Sequence, residues 1–220
     1  MAIKIHYINE IANFCEKTGA DVFEVAKVIG LDNRIGNKFL NPGPGYGGSC
    51  FPKDTNAMAY MAKQYGMELQ LIQTAITGND NRRVDMANKI LHSVKDIPNA
   101  KIAVLGLAFK GGTDDCRMSP AIDIVQILLQ HNANITAFDP KAMNNAKQIL
   151  SDNIKYAASA YEAAENADVL VVLTEWNDFK DLDLNIIKSK MKTPNIVDLR
   201  NLLNKQQATE LGFSYTGIGR

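Results

Sequence analysis

Apolar residues recur at helical spacing over residues 2–17, where Ile5, Ile8, Ala12 and Cys15 share one face. The stripe is at full stride by residue 3 with no Ser, Thr, Asp or Asn cap before it, and helices rarely begin that way. Gly19 ends this helix; Asp21 caps a shorter one reaching Val28, which Gly30 stops. Lys53 or Asp54 is expected to start a third helix, running to Tyr65 and closed by Gly66. Leu69, Ile72, Ile76, Val84, Ala87, Leu91 and Val94 predict a long helix over roughly 68–95. Gly78 and the polar run Asn79-Asp80-Asn81-Arg82-Arg83 interrupt its apolar face. Such a helix, with few partners in its own half, suits the spine of a homodimer.

Beyond Ile97-Pro98-Asn99 the pattern changes to apolar strands alternating with helices. Strands are expected at 101–106, 135–138, 154–156, 168–173, 196–197 and 213–215, with helices at 119–131, 141–150, 159–166 and 183–191. Alternation at this spacing means a doubly wound parallel sheet. The fold class is therefore α/β: a helical dimerisation domain over 1–97, then a Rossmann-like domain over 98–220.

Bulk properties mainly exclude. With 24 basic and 24 acidic residues the net charge is zero, so neither nucleic acid nor an acidic membrane surface is an expected partner. Three cysteines (Cys15, Cys50, Cys116) and three isolated histidines (His6, His92, His131) support neither a disulfide framework nor a metal site. No apolar run approaches about 18 residues and no signal peptide is legible, so a cytoplasmic location is expected.

Candidate chemistry concentrates in Asn41-Pro-Gly-Pro-Gly-Tyr-Gly-Gly-Ser-Cys50-Phe-Pro-Lys53-Asp54. A loop this poor in side chains presents one sulfur, then a cation and a carboxylate. Lys53 favours the charged form of the thiol, and Asp54 is placed to handle a proton or a water. The combination points to covalent catalysis through Cys50. Gly43-x-Gly45-x-x-Gly48 fits the dinucleotide pattern only in letters, because no strand leads in and Pro44 removes a donor.

Open parallel sheets bind ligands beyond the carboxyl ends of their strands. Those ends supply Phe109, Lys110 and Arg117 after the first strand, Asp139 after the second and Arg200 after the fifth. Three cations on one rim suggest a phosphate or diphosphate. Asp139 precedes a proline and reads as a turn residue more readily than as a ribose ligand. Cys116 reads as incidental, and Trp176 as packing under a loop.

Asp32-Asn-Arg34-Ile-Gly-Asn-Lys-Phe39-Leu40, Gly45-Tyr-Gly-Gly-Ser-Cys50-Phe-Pro-Lys-Asp54, Gly106-Leu-Ala-Phe-Lys110 and Thr113-Asp-Asp-Cys-Arg117 resemble the UDP-glucose/GDP-mannose dehydrogenases. The resemblance runs the length of the chain and implies oxidation of a nucleotide-sugar C6 alcohol to the acid with two NAD. It implies that Cys50 forms a thiohemiacetal and then a thioester, which Asp54 helps water to hydrolyse. Cys50, Phe51, Pro52 and Lys53, with Arg117, would lie against the cofactor. The UDP-sugar would be held by the backbone of Asn41, Pro42, Gly43, Pro44, Gly45, Tyr46 and Gly47 and by Phe39 and Leu40 before it. Phe109, Lys110 and Arg200 would hold it from the sheet, while Arg34 would reach the sugar nucleotide of the other subunit of a dimer. UDP-glucose is the leading substrate, with UDP-N-acetylmannosamine and GDP-mannose as alternatives, and a non-catalytic binding module is the reading from another class. Members of that family begin with an NAD-binding domain and a Lys-x-x-x-Asn pair that these 220 residues lack. The chain is therefore expected to be the central and C-terminal part of such an enzyme and inactive alone.

Overall fold

The computed structural model describes all 220 residues. The first half is helical: α1 (Ala2–Thr18), α2 (Val22–Gly30), α3 (Phe51–Gln64) and α4 (Gln70–Ser93). Gly19 in the left-handed region ends α1, its N–H donating to the Cys15 carbonyl, and the Asp21 carboxylate caps α2 by accepting from Phe23 N at 2.8 Å. α1 has no side-chain cap. α3 begins at Phe51, earlier than Lys53 or Asp54, because Pro52 in the first turn supplies a pre-set φ and needs no acceptor. That shift makes Cys50 the N-cap residue.

α4 runs unbroken through Gly78, where a Cβ would overlap the His6 ring of α1. It packs on α1, on α3 and on the first helix of the second half, so it has more partners within the chain than its pattern suggests. Asn79 and Arg82 lie on its buried side.

The second half alternates β1 (Lys101–Leu105), α5 (Pro120–Gln130), β2 (Asn134–Phe138), α6 (Met143–Leu150), β3 (Lys155–Tyr156) and α7 (Ala160–Ala163). It continues with β4 (Val169–Val172), α8 (Asn177–Lys180), α9 (Leu184–Lys190), β5 (Asn195–Asp198), α10 (Lys205–Glu210) and β6 (Ser214–Thr216). The strands form one parallel sheet in the order β3-β2-β1-β4-β5-β6. That is the doubly wound Rossmann-like order, with its switch point between β1 and β4. Every residue of β4 and β5 is buried, as a sheet covered on both faces requires. One continuous apolar core joins Ile8 and Ala12 of α1, Met86 and Ile90 of α4, and the strands. The halves are thus welded along α4 and α5, and the carboxyl ends of β1, β4 and β5 face the glycine loop. No helix is long and apolar enough to cross a membrane.

Candidate active site

The glycine loop is a buried strap rather than an exposed turn. Gly43 N donates to Asn9 Oδ1 of α1 at 2.8 Å, and Tyr46 N donates to Asn79 Oδ1 of α4 at 2.8 Å. Its far end is held by the sheet half, where Gly48 N donates to the Arg117 carbonyl at 3.1 Å. Gly45 (φ +114°) and Gly48 (φ +81°) occupy conformations closed to most side chains. Space is closed too: a Cβ at 45 would stand 2.7 Å from Asn79 Oδ1, and one at 48 would stand 2.7 Å from Phe109 Cε2. Gly48→Ala is expected to cost roughly 2–5 kcal/mol, from left-handed strain and overpacking together. Urea unfolding checks this, and an unchanged midpoint would show that the strap is looser than described.

Cys50 emerges from the strap exposed, with Ser49 Oγ 3.8 Å from its sulfur. It stands at the positive end of α3. Lys53 Nζ lies 3.3 Å from Asp54 Oδ1, both side chains being mostly exposed. The lysine is therefore paired with its neighbouring carboxylate. Phe51 packs edge-on against Phe39 and Tyr46, with centroids 6.0 and 6.2 Å apart.

The other end of the strap borders a cleft of about 530 Å³. Asn41, Pro42, Gly43 and Gly45 form one wall with Phe39, and Arg200 faces them from the end of β5. Five further residues line the cleft without having been singled out by sequence: Ile5, Phe23, Lys38, Glu175 and Asn201. Glu175 follows β4, so the strand-end rule could have found it; Ile5 and Phe23 look like ordinary core positions. Phe39 (φ +65°) and Asn201 (φ +48°) are left-handed. Strain of that kind gathers at functional sites.

Sequence placed three cations on this rim, Lys110, Arg117 and Arg200, and each has a partner. Arg117, Arg34 and Arg200 all follow an aspartate by two positions, and in each case the carboxylate accepts the arginine backbone N–H at 2.9–3.0 Å. Asp115 also grips its own guanidinium, with Arg117 Nε at 3.0 Å, and Asp32 does the same to Arg34. These hydrogen bonds hold both acids below the usual carboxylate range and both guanidiniums above theirs; for Arg117 the nearby Cys50 sulfur adds a smaller part. Asp198 differs, because Leu203 N and the Tyr215 hydroxyl take its second oxygen at 2.7 and 2.9 Å. Arg200 is thereby free to turn toward the cleft, where Nε donates to the Leu173 carbonyl at 2.8 Å and stands 3.1 Å from Glu175. Burial pushes Arg200 below the ordinary arginine range, and Glu175 then Asp198 pull it back. Lys110 stands over the Phe109 ring, 5.4 Å from its centroid, outside the cleft.

Other sequence-selected residues face elsewhere. Leu40, Pro44 and Tyr46 are buried, the Tyr46 hydroxyl donates to the Ala75 carbonyl at 3.3 Å, and none of the three lines the cleft. Pro52 is buried and Gly47 partly so. The Arg34 side chain is 89% exposed and does not line the cleft. Asp139 points inward, its carboxylate accepting from five donors, which leaves nothing for a ribose. Cys116 is buried and its thiol is pushed up to about 12, mainly by burial.

Residues 1–81 match the central domain of the UDP-glucose/GDP-mannose dehydrogenase family, and residues 103–205 match that family's UDP binding domain. The chain belongs to the UDP-glucose/GDP-mannose dehydrogenase family. Among relatives, a UDP-glucose 6-dehydrogenase of Rhizobium meliloti (strain 1021) is 51% identical over all of this chain and 50% of its own length. UDP-glucose 6-dehydrogenase TuaD of Bacillus subtilis (strain 168) is 44% identical over all of this chain and 48% of its own length. A UDP-glucose dehydrogenase structure from Pyrobaculum islandicum superposes with a TM-score of 0.87 at 29% identity, covering 98% of this chain and 48% of that one. The chain thus spans about half the length of the relatives it matches. In this chain, the stretch matching the family's UDP binding domain carries Phe109, Lys110, Arg117 and Arg200, and the stretch matching its central domain carries the strap and Cys50.

Proposed function

We propose that this chain is the thiol-bearing and UDP-sugar-binding part of an NAD-dependent dehydrogenase that oxidises UDP-glucose to UDP-glucuronate. The observation that carries the reading is the strap: one end walls a cleft with Arg200, and the other ends in an exposed sulfur. Arg200 and the strap backbone would take the diphosphate and nucleoside, helped by Phe39; Phe109 and Lys110, outside the cleft, would meet only a part of the ligand that extends beyond it. A first loss of hydride from C6 and of the hydroxyl proton would leave an aldehyde. Cys50 Sγ would add to it, its proton passing to the new oxygen, and loss of a second hydride from that carbon with release of the hydroxyl proton leaves a thioester. Asp54, exposed one helical turn beyond the sulfur, would orient the water that cleaves the thioester, releasing carboxylate and free thiol. NAD, when bound, would supply the acceptor for the hydrides. The exposed set of Cys50, Lys53 and Arg117 fits contact with such an anionic cofactor, with Phe51 and Pro52 shaping its floor.

A second copy of the chain would cover exposed apolar residues of α3, its C-cap and α4, among them Met61, Tyr65 and Leu71, making a homodimer along the long helix. Arg34, held outward by Asp32, would then reach the other subunit's cleft. A cytoplasmic enzyme fits this reading.

Calorimetry with UDP-glucose, UDP-N-acetylmannosamine and GDP-mannose tests the substrate. UDP-glucose is expected to bind most tightly, and Arg200→Ala to weaken it at least tenfold, about 1.4 kcal/mol. Tighter binding of GDP-mannose, or an Arg200→Ala variant with unchanged affinity, would count against the assignment. The 220 residues alone are expected not to reduce NAD with UDP-glucose present. α5 begins well beyond the end of β1, so no helix N-terminus closes a dinucleotide turn there.

A further inference from the structure

Three residues of the polar run that breaks the apolar face of α4, Asn79, Arg82 and Arg83, point inward, while Asp80 and Asn81 stay exposed. Asn79 and Arg82 are 4% and 3% exposed, and the Arg83 side chain is 12% exposed. Burying an amide and two guanidiniums is unfavourable by several kcal/mol unless each is bonded, so their partners indicate their task. All three bond the backbone of the strap. Asn79 embraces Tyr46, accepting from its N–H at 2.8 Å and donating Nδ2 to its carbonyl at 3.0 Å. Arg82 Nε donates to the Gly43 carbonyl at 3.0 Å, while its Nη1 is held by Asn13 of α1. Arg83 Nη2 donates to the Tyr46 carbonyl at 3.4 Å, and its Nη1 stands 3.1 Å from Asp80 and 3.1 Å from Asp123 of α5. None of them lines the cleft or touches the sulfur.

We propose that Asn79, Arg82 and Arg83 are positioning residues that clamp residues 43–46 in the single backbone path which presents the cleft wall and Cys50 together. Arg83 further ties that path to the sheet half through Asp123. The physical need is clear from the loop's composition. Glycine loses more conformational freedom on ordering than any other residue, and each fixed residue costs roughly 1–2 kcal/mol. Gly45 and Gly48 flank Tyr46 as swivels, so an unheld Tyr46 peptide would rotate and carry both neighbours with it. Asn79 blocks that rotation by bonding the N–H and the carbonyl at once. Its amide oxygen also occupies the space that a Cβ at 45 would need, so clamp and glycine fit each other. The guanidinium bonds are charge-assisted, the stronger class. Burial holds Arg82 down to about 10, which still leaves it cationic at neutral pH.

Amide hydrogen exchange on the intact 220-residue chain, with UDP calorimetry beside it, tests the clamp. The ligand readout rests on the function proposed above; the exchange readout does not. Asn79→Ala is expected to speed exchange at Tyr46 and Gly48 at least tenfold and to weaken UDP at least fivefold, while β1 and β4 amides keep wild-type rates. Arg83→Gln is expected to do the same more mildly. Arg83→Lys, which keeps a cation within reach of the Tyr46 carbonyl or Asp123, should recover part of the UDP affinity. Two results would overturn the idea: unchanged exchange at Tyr46 and Gly48, or a parallel rise across β1 and β4 showing that these residues merely support the fold. Should Asn79→Ala not fold, the contrast between the two Arg83 variants decides. A wild-type chain without affinity for UDP would instead remove the functional reading and leave the exchange contrast to judge the clamp.

Discussion

Asp139→Ala is expected to destabilise the chain by about 4 kcal/mol or more, the largest loss of stability from any single side chain near the site. The carboxylate is 1% exposed and accepts from five donors. Oδ2 takes Leu107 N at 2.7 Å, Ala108 N at 3.1 Å and the Trp176 indole at 3.0 Å; Oδ1 takes Lys141 N at 2.9 Å and Ala142 N at 2.7 Å. It therefore knots the turn after β1, the turn after β2 and the loop after β4. A buried donor left without an acceptor costs about 1–3 kcal/mol. One water in the vacated space would accept from at most two of the five, so the sum falls short of additive. Asp139→Asn should lose about half as much, keeping one acceptor oxygen but turning an N–H₂ toward N–H groups. For a domain of this size the alanine change corresponds to a melting temperature lower by roughly 10 °C. Phe109 and Lys110 sit on the turn it anchors, so UDP affinity should fall with it. Urea unfolding that shows a loss below about 1.5 kcal/mol would mean the five donors find other partners.

How much of this was legible in the sequence follows from what periodicity can encode. All six strands and their parallel arrangement were, because uniformly apolar runs such as Val169–Val172 have no other home than a twice-covered sheet. The caps at Asp21 and Gly19 were legible because capping is a two-residue local rule. α8 and α10 were not: Asn-Asp-Phe-Lys and Lys-Gln-Gln-Ala-Thr-Glu are too short to display a stripe, and Asn204 capping α10 by accepting Gln207 N at 3.0 Å was the overlooked signal. The early start of α3 was written in Pro52, a residue favoured in the first helical turn. Of the residues singled out, Phe39, Asn41, Pro42, Gly43, Gly45 and Arg200 border the cleft, whereas Lys38, Glu175 and Asn201, also on loops and strand ends, were overlooked, and the state of the charges was not legible. The pairing of Arg117 with Asp115 is a local turn that the spacing contains, but Arg200 beside Glu175 depends on β4 and β5 being neighbours. Least legible was the clamp. Asn79, Arg82 and Arg83 look like a solvated break in an apolar face, and only the strap crossing α4 turns that break into an interior surface.

Iodoacetamide at pH 8 should label the folded chain once, at Cys50, and Cys116 should react at least a thousandfold more slowly. Cys116 is 4% exposed and its thiol is pushed up to about 12, first by burial and then by the charges of Asp139, Asp115 and Asp114. Thiolate is the reacting species, so at pH 8 only about one Cys116 in ten thousand would be reactive, against roughly a quarter of the molecules of a free thiol in water. Steric closure slows it further. Cys15 is buried on α1 and is also raised, by burial and then by Asp21, so it should stay silent in the native state. Adding urea past the unfolding midpoint should release both and bring the count to three. The labelling distinguishes more than accessibility. A catalytic sulfur must meet a carbon in the cleft, so Cys50 has to be open to a small electrophile while the strap is fully ordered. If Cys50 labelled only in step with unfolding, its sulfur would be closed off in the folded protein and the covalent mechanism would lose its nucleophile, leaving a nucleotide-binding module. Labelling at Cys50 that is complete while Tyr46 and Gly48 amides remain protected would place the reactive atom on a rigid support, as capture of an aldehyde requires.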